Sequence, residues 1–415
     1  MNEGHGQGRG PVERHLLTLN AGSSSLKLGV FTSARPPRRL LSAAVARIGL
    51  PGTTLTITAG STPEEVEALD DVPDHARALE KALAGIERRH PLARAAAVGH
   101  RLVHGGPRYD RARLATPDVL AALRRLIPLD PDHLPAEIEM VEAMLRRAPS
   151  VPQIACFDTA FHRTLPRVAR LLAIPHRYEA QGVRRYGFHG LSCAFLIEEL
   201  ARIAGEEAAR GRVVLAHLGS GASLTATLEG RSVDTTMGFT PTSGIPMGTR
   251  SGDLDPGVLL YLLRTERLGV DALDGLLNRE SGLLGVSGSS PDMRDLLARE
   301  ADDPRAADAV ALFCHQGKKA IGALAATLGG IDTLVFAGGI GERAATVRAR
   351  IAGGLEHLGI HVDEARNQAG APVLSTEASP CTVRVLHTDE ESIIARETLE
   401  VMGAAAAPAT RGTMT

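Results

Sequence analysis

Leu16-Leu17-Thr18-Leu19-Asn20-Ala21-Gly22-Ser23-Ser24-Ser25-Leu26-Lys27-Leu28-Gly29-Val30-Phe31 holds two short apolar runs joined by a turn of small residues. It reads as a strand, a tight turn and a returning strand. With so little side chain in the turn, an anion can approach its backbone closely. Nearly two hundred residues later the design recurs: residues 213–218, then Gly219-Ser220-Gly221-Ala222-Ser223, then residues 224–228. Two halves that each open on such a loop point to a duplicated α/β fold with a nucleotide clamped between the halves.

The pattern between and after the hairpins is that of an α/β chain. Residues 115–125 and 136–147 have helical periodicity, and residues 95–99 and 153–156 read as short buried strands that end in polar residues. Polar residues at strand ends are where such folds place chemistry. Residues 305–328 read as one long Ala-rich helix, and residues 333–336 as a strand running into Ala337-Gly338-Gly339-Ile340-Gly341-Glu342. A strand followed by a glycine turn and a helix presents backbone N–H groups to a phosphate or ribose.

Bulk properties narrow the partners. A chain of 415 residues that is 44% hydrophobic can build two domains with a cleft between them. A net charge of -2 and a pI near 6.7 provide no broad basic field, so neither nucleic acid nor a membrane is expected as partner. Cys156, Cys193, Cys314 and Cys381 lie far apart without CxxC spacing and read as reduced, buried thiols. Residues 1–14 are Gly-rich and polar and read as a flexible leader, and residues 403–415 as a flexible tail.

Six segments dense in Gly, Arg, His, Asp and Ser carry the chemistry. Phosphoryl transfer asks for positive charge around the equatorial oxygens and for positioning, with little covalent work from the protein. In Gly99-His100-Arg101-Leu102-Val103-His104-Gly105-Gly106, Arg101 is read in a turn beyond a strand end, able to fork onto a carboxylate or phosphate; the plain alternative is a surface arginine. Asp158 follows a strand, where it could hold a metal, orient an acid or simply cap the next helix. Tyr186-Gly187-Phe188-His189-Gly190 offers an imidazole between small residues, though a core histidine is commoner. Met247-Gly248-Thr249-Arg250-Ser251-Gly252-Asp253-Leu254-Asp255-Pro256 adds a second arginine and two acids.

These strings, together with residues 20–27, 237–241, 281–294 and 338–342, closely resemble the acetate kinases of the acetate and sugar kinase, heat-shock and actin superfamily. The resemblance covers residues 16–402 and implies two actin-like (ribonuclease H-like) domains with an interdomain cleft. The expected division is residues 15–162 plus 391–402 for an N-terminal acyl-substrate domain and 163–390 for a C-terminal nucleotide-binding domain. It further implies a cytoplasmic, homodimeric, Mg2+-dependent kinase, with Mn2+ as a substitute, that moves phosphate reversibly from ATP to acetate by direct in-line transfer. Residue by residue, the resemblance makes Asp158, His189, Arg250 and Arg101 the catalytic set. It makes Arg101, Val103, Phe188 and Pro241 the acyl-substrate site. Asn20 and Glu390 are implied at the metal. Lys27, His217, Leu218, Gly219, Ser220, Gly221, Asp292, Met293, Arg294, Gly339, Ile340, Gly341, Glu342 and Arg343 are implied at the nucleotide.

The chain departs from the family pattern at Ser220 and Arg343, where asparagines are usual, at residues 126–131, and at Leu191-Ser192-Cys193. These departures bear on donor preference and pocket size rather than on reaction type. Alternative readings are a propionate or butyrate kinase on the same scaffold, an actin- or chaperone-like ATPase, and a nucleotide-binding module without kinase activity.

Overall fold

The computed structural model describes residues 14–22, 24–60 and 62–406. Ser23 and most of the expected leader lie outside the described residues, as does the tail from residue 407. Residues 403–406, expected in that tail, instead finish the helix Glu390–Ala406.

The described residues divide into two compact units, residues 14–104, 111–157 and 390–406 in the first and residues 105–110 and 158–389 in the second. The first unit carries strands β1 (His15–Ala21), β2 (Ser25–Thr32), β3 (Arg39–Ala46), β4 (Thr54–Thr58), β5 (Glu65–Ala68), β6 (Ala95–Leu102), β7 (Arg113–Leu114) and β8 (Gln153–Phe157). They form one sheet ordered β5-β4-β3-β2-β1-β6-β8-β7, antiparallel from β1 out to β5 and parallel from β1 through β6 to β8. The second unit carries β9 (Val213–Leu218), β10 (Ala222–Leu228), β11 (Arg231–Thr235), β12 (Thr333–Ala337) and β13 (Thr382–Val385), ordered β11-β10-β9-β12-β13. Again the first three strands are antiparallel and the last two join β9 in parallel. The central order is the same in both units, which is the duplicated actin-like fold.

In the first unit the sheet is buried by helices whose apolar faces match it. Leu79, Ala82, Leu83 and Ile86 of the helix His75–Glu87 recur at helical spacing and pack with Leu28, Val45, Leu55 and Ile57. The helix Glu390–Ala406 crosses β1, β6 and β8. It approaches so closely that a side chain at Gly99 would collide with Ile394 and Thr398, so glycine is required on β6. In the second unit Leu196 and Leu200 of the helix Gly190–Ala204 pack on Val213 and Leu215 of β9 and Val335 of β12.

Four expectations change in detail. Strand β6 runs on through Leu102, so Arg101 lies within the strand and not in a turn beyond it. The helix expected over residues 115–125 is Pro117–Arg124, because Arg113 and Leu114 pair with β8. The domain boundary expected at residue 162 falls at Phe157/Asp158, because the 3-10 turn Asp158–Thr164 packs against β11 and the helix Gly190–Ala204. Residues 105–110 join the second unit, where the Gly105 amide donates to Thr159 Oγ1 at 3.1 Å. Among the described residues, no helix is long and apolar enough to cross a membrane.

Candidate active site

In the first unit, β1 delivers Asn20 to the tip of its hairpin, opposite the exposed Lys27. Asn20 Nδ2 donates to Glu390 Oε2 at 2.7 Å and to Glu391 Oε1 at 3.2 Å. Both glutamates open the helix Glu390–Ala406, where negative charge is favoured by the helix dipole. Arg39 lies 3.4 Å from the second oxygen of Glu391. The two residues expected at a metal are therefore in hydrogen-bond contact.

Arg101 projects from β6, and its Nη1 donates to the Ala21 carbonyl at 2.7 Å, tying the arginine to the same hairpin tip. Behind it stands Glu137, 2% exposed, on the helix Leu134–Arg147. One Glu137 oxygen is 3.8 Å from Arg101 Nη1, and the other accepts the Val103 amide at 2.9 Å. A single carboxylate thus serves both the arginine and the expected pocket wall. The sequence held a signal for it, since Glu137 shares the helix's buried face with Leu134, Ile138 and Val141.

In the second unit, Asp158 is fully buried at the start of its 3-10 turn. A side chain at Gly190 would run into the Asp158 carbonyl, so glycine lets the helix Gly190–Ala204 begin directly on this turn. His189 precedes that helix with φ 56° and ψ 29°, a left-handed conformation that histidine visits more readily than most residues. It is half-buried, and its ring stacks on that of His217 with centroids 4.5 Å apart and planes 21° apart. The Ser192 hydroxyl bridges His217 Nδ1 and Thr388 Oγ1, each at 2.8 Å.

The loop between β9 and β10 reaches the same place. A Cβ on Gly221 would lie 3.1 Å from His189 Nε2 and 3.7 Å from Arg250 Nη1, so the imidazole and the guanidinium converge over a residue without a side chain. Arg250 Nη1 also donates to the Pro241 carbonyl at 3.2 Å. The Gly248 amide donates to the carbonyl of the exposed Ser220 at 3.1 Å, and the Gly219 amide to the Gly221 carbonyl at 3.0 Å, and these two bonds fix the shape of the loop. His162 supports the segment from behind: its Nε2 contacts the Phe188 carbonyl and its Nδ1 contacts Ser232 Oγ, both at 2.9 Å. Burial lowers the His162 pKa to about 4, which keeps the ring neutral. Phe188 and Pro241 are themselves buried.

The glycine turn after β12 is wound into the short helix Gly338–Arg343. A Cβ at Gly338 would lie 2.7 Å from the Leu218 carbonyl, and the Gly338 φ of 75° suits glycine. Glu342 accepts the Gly338 amide at 3.1 Å and contacts His387 Nδ1 at 2.7 Å. Gly339 and Arg343 are exposed, and Ile340 is half-buried.

Other expected residues sit differently. Asp253 accepts the Gly244 amide and Asp255 caps the helix Pro256–Thr265, so these two acids serve local turns. Asp292 caps the helix Met293–Arg299 and pairs with the exposed Arg294, which lowers the Asp292 pKa; the side chains of Met293 and Leu218 are buried.

Residues 15–396 match the model of the acetokinase family. The chain belongs to the acetokinase family. Curated relatives include the acetate kinases of Methylocella silvestris, 45% identical over 406 residues (95% of this chain and 100% of the relative), and Rhodopseudomonas palustris, 45% identical over 387 residues (92% and 96%). Solved structures of the fold include Porphyromonas gingivalis acetate kinase (TM-score 0.82, 37% identity) and a Francisella tularensis propionate kinase (TM-score 0.86, 34% identity), each matched over 94% of this chain and 100% of the other. Ser220 and Arg343, which depart from the family pattern, are both exposed, whereas Cys193 is buried and contacts Thr225 Oγ1.

Proposed function

We propose that this acetokinase-family enzyme is an acetate kinase, transferring the γ-phosphoryl group of ATP to acetate to give acetyl phosphate and ADP. The bond from the γ-phosphorus to the ADP oxygen breaks as a bond to an acetate oxygen forms, in line and reversibly. The observation that carries this reading is the convergence of His189 and Arg250 over Gly221. An imidazole and a guanidinium at one small-residue loop are suited to the spread negative charge of a transferring phosphoryl group.

The remaining roles follow from residue chemistry. Arg101 would take the acetate carboxylate, its guanidinium steadied by Ala21 and Glu137. A carboxylate is already nucleophilic at neutral pH, so Asp158 would orient groups and not accept a proton. Val103, Phe188 and Pro241 are each apolar and buried, of the kind suited to contact the acyl methyl group. Lys27 and the loops at residues 217–221, 292–294 and 339–343 would take the nucleotide; the three loops lie in the second unit, the proposed nucleotide domain, and Arg101 and Val103 in the first, the proposed acyl-substrate domain. Asn20 and Glu390 supply oxygen donors of the kind Mg2+ prefers, and the ion would neutralise phosphate charge.

A cytoplasmic location and a homodimer belong to the same proposal. The first is supported by four buried cysteines that form no disulfide, as a reducing compartment leaves them. The second is supported by the helix Pro256–Thr265, which buries no residue although Val258, Leu260 and Tyr261 are apolar and exposed.

Hydroxylamine trapping with Mg2+, testing acetate, propionate and butyrate against ATP, GTP and pyrophosphate, tests the reading. Hydroxamate formed fastest from acetate and ATP supports it. No product from any pair, with nucleotide still bound, would leave only the binding-module reading. A propionate kinase is the second reading, favoured by the Francisella tularensis propionate kinase among the structural relatives; faster product from propionate would select it.

A further inference from the structure

Arg348, on the helix Ala345–Ala352, is 1% exposed, and among the described residues its guanidinium donates only to neutral oxygens. Nη1 donates to the carbonyls of Gly341 and Glu342, both at 2.9 Å. Nε donates to Asn367 Oδ1 at 2.9 Å and Nη2 to the Asn367 carbonyl at 2.8 Å. Asn367 is itself fully buried, and its Nδ2 returns a bond to the Ala345 carbonyl at 2.9 Å.

A buried cation held by neutral groups alone is a costly way to fill a core, and an aliphatic side chain would pack there more cheaply. What the guanidinium alone supplies is a planar fork that reaches two successive carbonyls of the glycine turn on one side and both oxygens of Asn367 on the other. The start of the same turn follows directly on β12, whose Ala337 pairs with His217 of β9. The turn is thus anchored at its start through the pairing of β12 with β9 and at its end by Arg348.

We propose that Arg348 is a positioning residue for the nucleotide: clamped by Asn367, it holds the turn at residues 339–342 in the shape that receives the phosphoryl donor. The proposal rests on the kinase reading above and on the place of that turn in the nucleotide site. Arg348 itself touches no substrate.

The test is steady-state kinetics on Arg348→Lys and Asn367→Ser, measured by hydroxamate formation with Mg-ATP and acetate varied in turn. Lysine keeps the charge but cannot span the two carbonyls and Asn367 together. The expected result is a KM for ATP raised about tenfold in Arg348→Lys and several-fold in Asn367→Ser, with the KM for acetate changed less than about twofold. Should Arg348→Lys fail to fold, Asn367→Ser carries the same test. Parallel rises in both KM values, or unchanged KM for ATP with only a lower melting temperature, would overturn the proposal and leave Arg348 a core residue. Because wild-type protein is assayed alongside, failure of the kinase reading appears separately, as no hydroxamate from the wild type.

Discussion

The carboxylate of Glu137 accepts the Val103 amide at 2.9 Å with one oxygen and stands 3.8 Å from Arg101 Nη1 with the other. Removing it takes the acceptor from a buried N–H and a compensating charge from a mostly buried guanidinium. Breaking a buried pair from one side costs about 3 kcal/mol. Glu137→Ala is therefore expected to lower stability by about that amount in urea unfolding. It should also raise the KM for acetate more than that for ATP in the hydroxamate assay. Unchanged stability would show that Glu137 is not the anchor of this strand end.

Gly221 is the position in the β9–β10 loop that His189 and Arg250 both approach. An added methyl at 3.1 Å from His189 Nε2 is tighter than ordinary van der Waals contact, and at 3.7 Å from Arg250 Nη1 it stands between the two groups. Gly221→Ala is expected to fold normally, because the collision is with side-chain ends, and to lose kcat by about a hundredfold, as small misplacements near the chemistry do. Gly190→Ala is the contrast: its collision is with the Asp158 backbone, which cannot move aside, so loss of stability should dominate. Equal activity of Gly221→Ala and wild type would remove His189 and Arg250 from the proposed phosphoryl site.

Much of this architecture is legible in the sequence because it is local. The hairpins at Asn20 and Gly219 follow from apolar runs broken by small residues, and their recurrence announces the duplicated sheet order. Asn20 and Glu390 are matched by resemblance, but the contact between two residues so distant in the chain is a product of topology that spacing does not show. Glu137 is half legible: its place on an apolar helix face foretells burial, but gives no hint of which backbone amide it will meet. Arg348 is hidden: between Val347 and Ala349 it reads as an ordinary helix surface arginine, and only the packing of Asn367 makes it buried. Arg101 is misread because its glycine and histidine neighbours suggest a turn where parallel pairing with β8 carries the strand onward.

Three buried histidines set the acid response. Burial lowers the pKa of His15, of His100 and of His162 to about 4, from the usual 6.5. Below about pH 6.5 the unfolded chain takes up protons at these positions that the folded chain refuses, so their contribution is complete above that pH and falls as the pH drops toward about 4. The slope is up to about 1.4 kcal/mol per pH unit for each histidine. Urea midpoints should therefore decline from about pH 7 to about pH 5, before most carboxylates titrate. Flat midpoints over that range would mean that these rings are solvated in the folded protein.

The last prediction concerns the metal. Asn20 Nδ2 spans Glu390 and Glu391 at 2.7 and 3.2 Å, so it both orients the two carboxylates and relieves their mutual repulsion. Asn20→Ala takes away that amide and one oxygen donor, while Glu390 keeps its place at the helix start. If Asn20 and Glu390 hold Mg2+, half-maximal activity in the variant should require at least about tenfold more Mg2+, since loss of a group at a metal site typically costs about 10–100-fold in affinity. Excess Mg2+ should restore a large share of kcat, and the KM for acetate should stay close to that of wild type. An activity loss that no Mg2+ concentration repairs would instead assign Asn20 to the shape of the β1–β2 turn, because a deformed hairpin tip would misplace Arg101 through its bond to the Ala21 carbonyl.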